Sequence, residues 1–190
     1  IAIEEGLERG AYLAIRYGVA AEIYLHLGLH ADALTFAERA FELDSLDNRT
    51  GKIAVRRSQI AEVLMDMGRD KEALVHLEAA IPVFREQNNL NSLAISLAQS
   101  GEIYMREGHV SNAADAFMES VSVCQESDNI YIESRARNGL WQLYKLADPR
   151  KALSHLERYV ELQSELNNDK ATEQMQAFNV KYETLKKEQT

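Results

Sequence analysis

The chain has 190 residues, 46% of them hydrophobic and 27% charged, with only two prolines and nine glycines, so composition excludes a long disordered tract and marks a folded chain. Thirty acidic against 21 basic residues give a net charge of −9, which repels phosphate backbones and anionic headgroups and argues against direct nucleic-acid binding. No run approaches the ~18 to 20 consecutive apolar residues of a membrane span, no basic-then-apolar leader opens the chain, and the single cysteine, Cys124, reads as a small hydrophobe on a helix face. Taken in order, residues 1–9 read as the last turns of a helix whose beginning lies outside the sequence. Ala21, Glu22, Ile23 and Tyr24 follow, with Gly28 and Ala33 behind them, and they return as Gly101, Glu102, Ile103 and Tyr104 with Gly108 and Ala113. Between the two stand Ala61, Glu62, Val63, Leu64, Gly68 and Ala73, so the period is 40 residues twice over.

Self-similarity at such a period predicts a stacked helical solenoid, because one unit is too small to bury its own apolar face. Each unit reads as two helices joined by a tight turn. Gly28, Gly68 and Gly108 end the first helices, where glycine adopts a left-handed C-cap at little cost. Asp70, Ser111 and Asp148 are candidate caps for the helices that follow, and Pro149 suits a first helical turn. Longer polar joints are expected between units, at residues 44–50, 86–91, 126–129 and 166–169. Ala33, Ala73, Ala113 and Ala152 in the second helices, and Ala20, Ala21, Ala61 and Gly101 in the first, let antiparallel helices approach closely. Tyr24, Leu64, Tyr104, Leu77 and Phe117 fill the spaces beside them. Pro82, inside a second helix, removes one backbone hydrogen bond and is expected to kink it.

The last segment favours helix up to Thr190, with neither glycine nor proline to stop it. Ala171, Met175, Phe178, Tyr182 and Leu185 are spaced four, three, four, three, as in the seam of a coiled coil. Two uses of that stripe stay open: a capping helix on the last repeat, or a helix that pairs two copies. The expected organisation is a repeat array over residues 1–168 and a C-terminal helix over 169–190 that leads into a further region.

The order of glycine or alanine, tyrosine, glycine and alanine resembles the tetratricopeptide repeat over three units, residues 10–128. A fourth, residues 129–168, departs from it: Trp141 stands at the small position, Asp148 at the turn glycine, and the turn is one residue shorter before Ala152. The resemblance implies an all-α fold, a right-handed superhelical solenoid of antiparallel helix pairs with a capping or coiled-coil C-terminal helix. The family's usual unit is about 34 residues, and the longer version resembles that of bacterial regulatory and sensory proteins and of some eukaryotic adaptors. Lys181, Tyr182, Glu183, Thr184, Leu185, Lys186, Lys187 and Glu188 are similar to the segment that joins bacterial repeat-type sensor domains to an output part. The functional expectation is a non-catalytic protein- or peptide-binding module serving as the sensory domain of a bacterial signalling protein. The alternative is an assembly scaffold or co-chaperone adaptor without output.

In the family, the polar face of the first helices lines a concave groove for extended peptides or partner helices. The resemblance points to Gln59, Glu62, Asp66, Gln99, Glu102, Arg106 and Gln142 as groove residues, with Glu22 at the same repeat position as Glu62 and Glu102. Against a binding role stands a plainer one: glutamate is a good helix former, and Glu102 can pair with Arg106 one turn on. The repeated basic pair of carboxylate-clamp adaptors is absent from this face. No catalytic residue, cofactor or metal site is expected: His26 and His30 are parted by Gly28, His76, His109 and His155 stand in separate places, and no phosphate loop or nucleophile elbow occurs. The expected partners are a protein or peptide in the groove and a second copy through the C-terminal helix, with no nucleic acid bound directly and no membrane insertion. Residue pattern leaves periplasmic and cytoplasmic locations equally open.

Overall fold

The computed structural model describes the backbone of residues 2–188 and the side chains of residues 10–168. The described residues form helices alone: α1 (Ala2–His26), α2 (His30–Leu46), α3 (Thr50–Asp66), α4 (Asp70–Glu86), α5 (Leu90–Arg106), α6 (Val110–Ser127), α7 (Ile130–Tyr144) and α8 (Pro149–Glu188). Helices α2 to α5 hold 17 residues each, or about 25 Å of rise at ~1.5 Å per residue. From α2 to α7 every helix starts 20 residues after the one before, at His30, Thr50, Asp70, Leu90, Val110 and Ile130.

That regularity comes from the turns. Gly28, Gly68 and Gly108 have φ of 72°, 71° and 78°, while Asn48, Asn88 and Asp128 have 52°, 52° and 53°. Within the first unit, Leu29 N donates to Tyr24 O at 2.9 Å and Gly28 N to Leu25 O at 2.9 Å; after it, Arg49 N donates to Asp44 O at 3.1 Å and Asn48 N to Ser45 O at 3.1 Å. Both are Schellman closures around a left-handed residue. Glycine enters that region freely, and asparagine and aspartate are the side chains that tolerate it best.

The joints between units are therefore as short as the turns inside them. Asp44, Ser45, Thr50, Glu86, Asn91, Glu126 and Ser127, expected there, belong to helix ends. Residues 166–169 form no joint at all, because nothing there stops a helix and α8 runs through them, across the expected boundary at 168. Capping also differs from expectation. Asp148 accepts from Lys151 N at 3.2 Å ahead of Pro149, but Asp70 and Ser111 lie inside their helices, behind Arg69 and His109, which give no side-chain cap. The asparagines do this work instead: Asn89 Oδ1 accepts from Ser92 N at 3.2 Å and Asn129 Oδ1 from Ile132 N at 3.1 Å. Helix α4 continues through Pro82 to Glu86.

Consecutive helices pack as hairpins, and each even helix also lies on the odd helix of the next unit. Helices α1, α3, α5 and α7 touch one another in succession, whereas among the described residues no even helix touches another. The odd helices are thus the inner, tighter layer of a curved stack and the even helices the outer one. Ala33, Ala61, Ala73 and Ala113 are fully buried between the layers. Phe117 sits in the α5–α6–α7 core, and a Cβ added to Gly101 or Gly139 would stand 2.7 Å and 2.5 Å from its ring. Where Trp141 occupies the small position of the fourth unit, Gly139 supplies the close approach. The first half of α8 docks on α7 through Ala152 and Leu162, both buried, and Gln163 Nε2 donates to Ser134 Oγ at 2.7 Å. The stripe from Ala171 to Leu185 lies outside the described side chains.

Candidate functional site

The inner layer brings side chains of different units together. Gln59 Nε2 on α3 donates to Glu22 Oε1 on α1 at 2.6 Å, and Gln59 Oε1 accepts from Arg56 Nη1 at 2.7 Å. Arg56 runs inward from there to buried Asp44, with Nε to Oδ2 at 2.8 Å, and Arg49 Nη2 lies 2.7 Å from the other carboxylate oxygen. Gly18 makes room for this guanidinium; a Cβ there would overlap Arg56 Nη1.

One unit on, Glu102 on α5 accepts a two-pronged bond from Arg135 on α7, with Nη2 at 2.6 Å. This replaces the expected Glu102–Arg106 pair. Arg106, in the last turn of α5, instead reaches back to the start of α4, where its Nε and Nη2 donate to Asp70, both at 2.7 Å. Arg135 is not among the groove residues to which the sequence points. Its signal is a broken column: the same repeat position holds Ile15, Val55 and Ile95 before it becomes arginine.

Of the expected groove residues, Asp66, Arg106 and Gln142 are exposed and Gln59 and Glu102 half-buried, but Gln99 is enclosed, with its Oε1 lacking a hydrogen-bond partner. Position 99 precedes Gly139 by one period, and Gly139 faces Phe117 on α6, so the same register turns Gln99 toward α4 rather than outward. Gln99 therefore belongs to the stack between units.

Glu62 carries the clearest electrostatic feature. Its side chain opens to solvent, yet the surrounding helices strip enough water to push its carboxyl above the usual 4.5; Arg135 pulls it down, Asp66 and Glu22 push it up, and His26 pulls it down. No hydrogen bond or ion pair reaches Glu62 among the described residues, so the inner layer keeps an unmatched carboxylate between Glu22 and Asp66.

The far end of the layer is closed by a second buried network. Glu133 accepts from Arg137 at 3.0 Å and 3.1 Å, and Arg158 of α8 lies 3.7 Å away. His155 stacks on Tyr144 with ring centres 5.9 Å apart; loss of water, then Arg137 and Lys151, hold its pKa below the ordinary value. Cys124 is buried, and burial raises its thiol to about 11, too high for a nucleophile at neutral pH. Among the described residues no cluster of histidine, cysteine, aspartate and glutamate could hold a metal, and no helix is long and apolar enough to cross a membrane.

No family model and no curated protein matches the sequence. Solved structures match the fold. Aspartyl phosphate phosphatase F from Bacillus subtilis superposes with a TM-score of 0.75 at 16% identity, over 85% of this chain and 42% of its own. A Rap protein complexed with competence and sporulation factor gives 0.73 at 20% identity, over 86% and 45%. A kinesin-light-chain protein of Podosopora anserina with nearly identical TPR-like repeats gives 0.64 at 17%, over 82% and 76%. The chain thus spans under half the length of the first two. At these identities the likeness establishes the fold, an all-α TPR-like helical repeat.

Proposed function

We propose that the chain is a non-catalytic module that binds a protein or peptide along its inner helix layer, as the sensory or regulatory part of a bacterial signal-transduction protein. The observation that carries this reading is the group of exposed carboxylates on the inner layer, Glu22, Glu62 and Asp66, of which Glu62 has no hydrogen-bond or ion-pair partner among the described residues. A partner offering lysine or arginine there would gain charge-assisted bonds to a carboxylate that no side chain of this chain engages. Glu102 is already neutralised by Arg135, and Arg106 by Asp70, so the free negative charge lies toward α1 and α3. Gln59, Asp66 and Gln142 flank the same path. The Rap protein of similar fold, solved with a bound factor, lends the reading support from outside the chain. A partner lying across α1, α3 and α5 would alter how successive units pack, and α8, rooted on α7, would carry the change out of the array.

The test is to pan a displayed peptide library on the protein and on the double variant Glu62→Lys, Asp66→Lys. Enriched sequences should carry basic residues, bind as synthetic peptides with an affinity that falls as salt rises, and lose at least about tenfold on the double variant, ~1.4 kcal/mol. Peptides that bind both proteins equally, or no enrichment at all, would sink the reading.

A further inference from the structure

The outer helices of successive units are parted by clefts floored by the odd helix between them, and these clefts differ at matching repeat positions. In the first, between α2 and α4, Arg57 of α3 lies over the Phe41 ring, its guanidinium carbon 5.1 Å from the ring centre. Loss of water, then the Arg57 charge, holds His76 of α4 below its ordinary pKa. In the third, between α6 and α8, Arg137 stands two periods after Arg57, and its Nη1 lies 3.3 Å from Nδ1 of His155 on α8. Each of these clefts is filled from within by a guanidinium beside an imidazole.

The middle cleft, between α4 and α6, has neither group: the same repeat positions hold Leu97 and Ala116. A space of about 320 Å³ stands there, with Leu97 and Ser100 of α5, Ile81 of α4 and Ala116 of α6 in its lining. Leu97 and Ser100 are buried, and the Ser100 hydroxyl already donates to Ser96 O at 2.9 Å. The rim has changed in the opposite sense. Glu78, Asp115 and Glu119 line it, all three exposed. The first cleft has Glu38, Val75 and Ala79 at these places, and the third, with the shorter turn before Ala152 allowed for, has Met118, Ser154 and Arg158. Tyr104 also lines the space and donates to Glu78 at 3.3 Å. Arg85 holds Glu119 at 2.6 Å, an exposed pair that water and salt weaken. Asp115 has no partner among the described residues. Loss of the inner cations and gain of outer carboxylates together leave an apolar slot beneath a negative rim.

We propose that this cleft binds an arginine side chain of a partner protein, in the place that Arg57 and Arg137 take in the clefts on either side. The methylenes of the incoming side chain would lie on Leu97 and Ile81, and its planar guanidinium would meet Asp115 and Glu78 at the rim. Free arginine fits worse, because its own carboxylate would face the same acidic rim. The cleft belongs to the outer layer and includes neither Glu62 nor Asp66, so this inference does not depend on the inner-layer reading.

The probe is acetyl-arginine-methylamide, titrated into the full 190-residue chain and followed by backbone amide resonances. Shifts should concentrate at Leu97, Ser100, Tyr104, Asn112 and Asp115 and should saturate. The uncharged citrulline analogue should leave those resonances in place. Affinity for the arginine probe should fall by about fivefold or more on the double variant Glu78→Gln, Asp115→Asn, whose exposed positions spare the fold. Leu97→Arg should abolish binding, because it restores the guanidinium of the flanking clefts; Ala116→His, the other half of that restoration, takes its place should Leu97→Arg melt early. Shifts scattered over the acidic surface, equal shifts with the citrulline analogue, or an affinity unchanged by the double variant overturn the proposal. Free arginine binding as tightly as the capped probe also overturns it, by assigning the cleft to a small molecule. Glu62→Lys, Asp66→Lys should leave the affinity for the probe unchanged, so the two proposals fail separately.

Discussion

The α2–α3 and α6–α7 junctions occupy the same place in the repeat and are built from opposite chemistry. Position 44 of the first is aspartate, and its counterparts are Phe84 and Cys124; all three are buried. Across from them stand Arg56, Ser96 and Ala136, again all buried. The first junction therefore holds an ion pair joined to Arg49, Gln59 and Glu22, while the last holds a phenylalanine ring between two glycines. The repeat dictates which positions are buried and leaves open what satisfies them. Each solution then binds its neighbours: the guanidinium needs Gly18 and the ring needs Gly101 and Gly139.

The strongest way to break this comparison is at Asp44. Asp44→Ala leaves the Arg56 guanidinium buried without its counter-ion and should cost ~3–5 kcal/mol, read as a fall in the urea midpoint. The pair Asp44→Phe, Arg56→Ser copies Phe84 and Ser96 and should lose much less, since a buried ion pair replaced whole is often close to neutral. If the pair variant is as damaged as the single one, burial alone does not describe the junction. Phe117→Ala at the other end should cost a similar ~3–5 kcal/mol by leaving a cavity between Gly101 and Gly139.

Gly139→Ala should cost less, ~1–3 kcal/mol, because the new methyl must displace the ring. Adding Phe117→Leu, the residue type at position 77, should return part of that loss in thermal unfolding; equal losses in both backgrounds would break the proposed fit of ring to glycine. Cys124 reports on the same region without altering it. Its thiol, near 11 in the fold, should resist alkylation at pH 8 until denaturant opens the α6–α7 junction, and rapid labelling of the native chain would contradict that burial. The smallest effect belongs to Glu62. Its folded pKa lies above 4.5, so the stability tied to its neutral form is whole below 4.5 and is lost as pH rises through the folded value. Glu62→Gln should remove that part of the decline, and an unchanged pH profile would show that the carboxylate is not desolvated.

Much of the architecture was legible because glycine and small residues recur where backbones must turn or touch. Gly28, Gly68 and Gly108 mark the left-handed turns inside units without a side chain to obscure them. The matching turns between units look like longer joints in the sequence because Asn48, Asn88 and Asp128 do the same work with polar side chains, which also suit an ordinary loop. Their 40-residue spacing was the available sign. The groove was legible only in outline. Glu62, Asp66 and Gln142 are on the open surface, but Gln99 is not, and a polar side chain in a helix does not announce which of two crowded faces it meets.

The sequence by itself determined that this chain is a stack of helix pairs, where the first helices of three units end and that alanines such as Ala33, Ala61, Ala73 and Ala113 draw helices together, because these follow from local backbone geometry and a fixed period; the close approaches at Gly18 and Gly139 came from the packing. Tertiary structure decided which charges meet. Glu102 takes Arg135 from 33 residues away and Arg106 takes Asp70 from 36 residues away, rather than each other one turn apart. Glu62 is left with no such partner, and the helices packed around it raise its pKa by taking water from its carboxyl. Such partners are set by the angle at which one unit lies on the next, and that angle is a property of the packed whole.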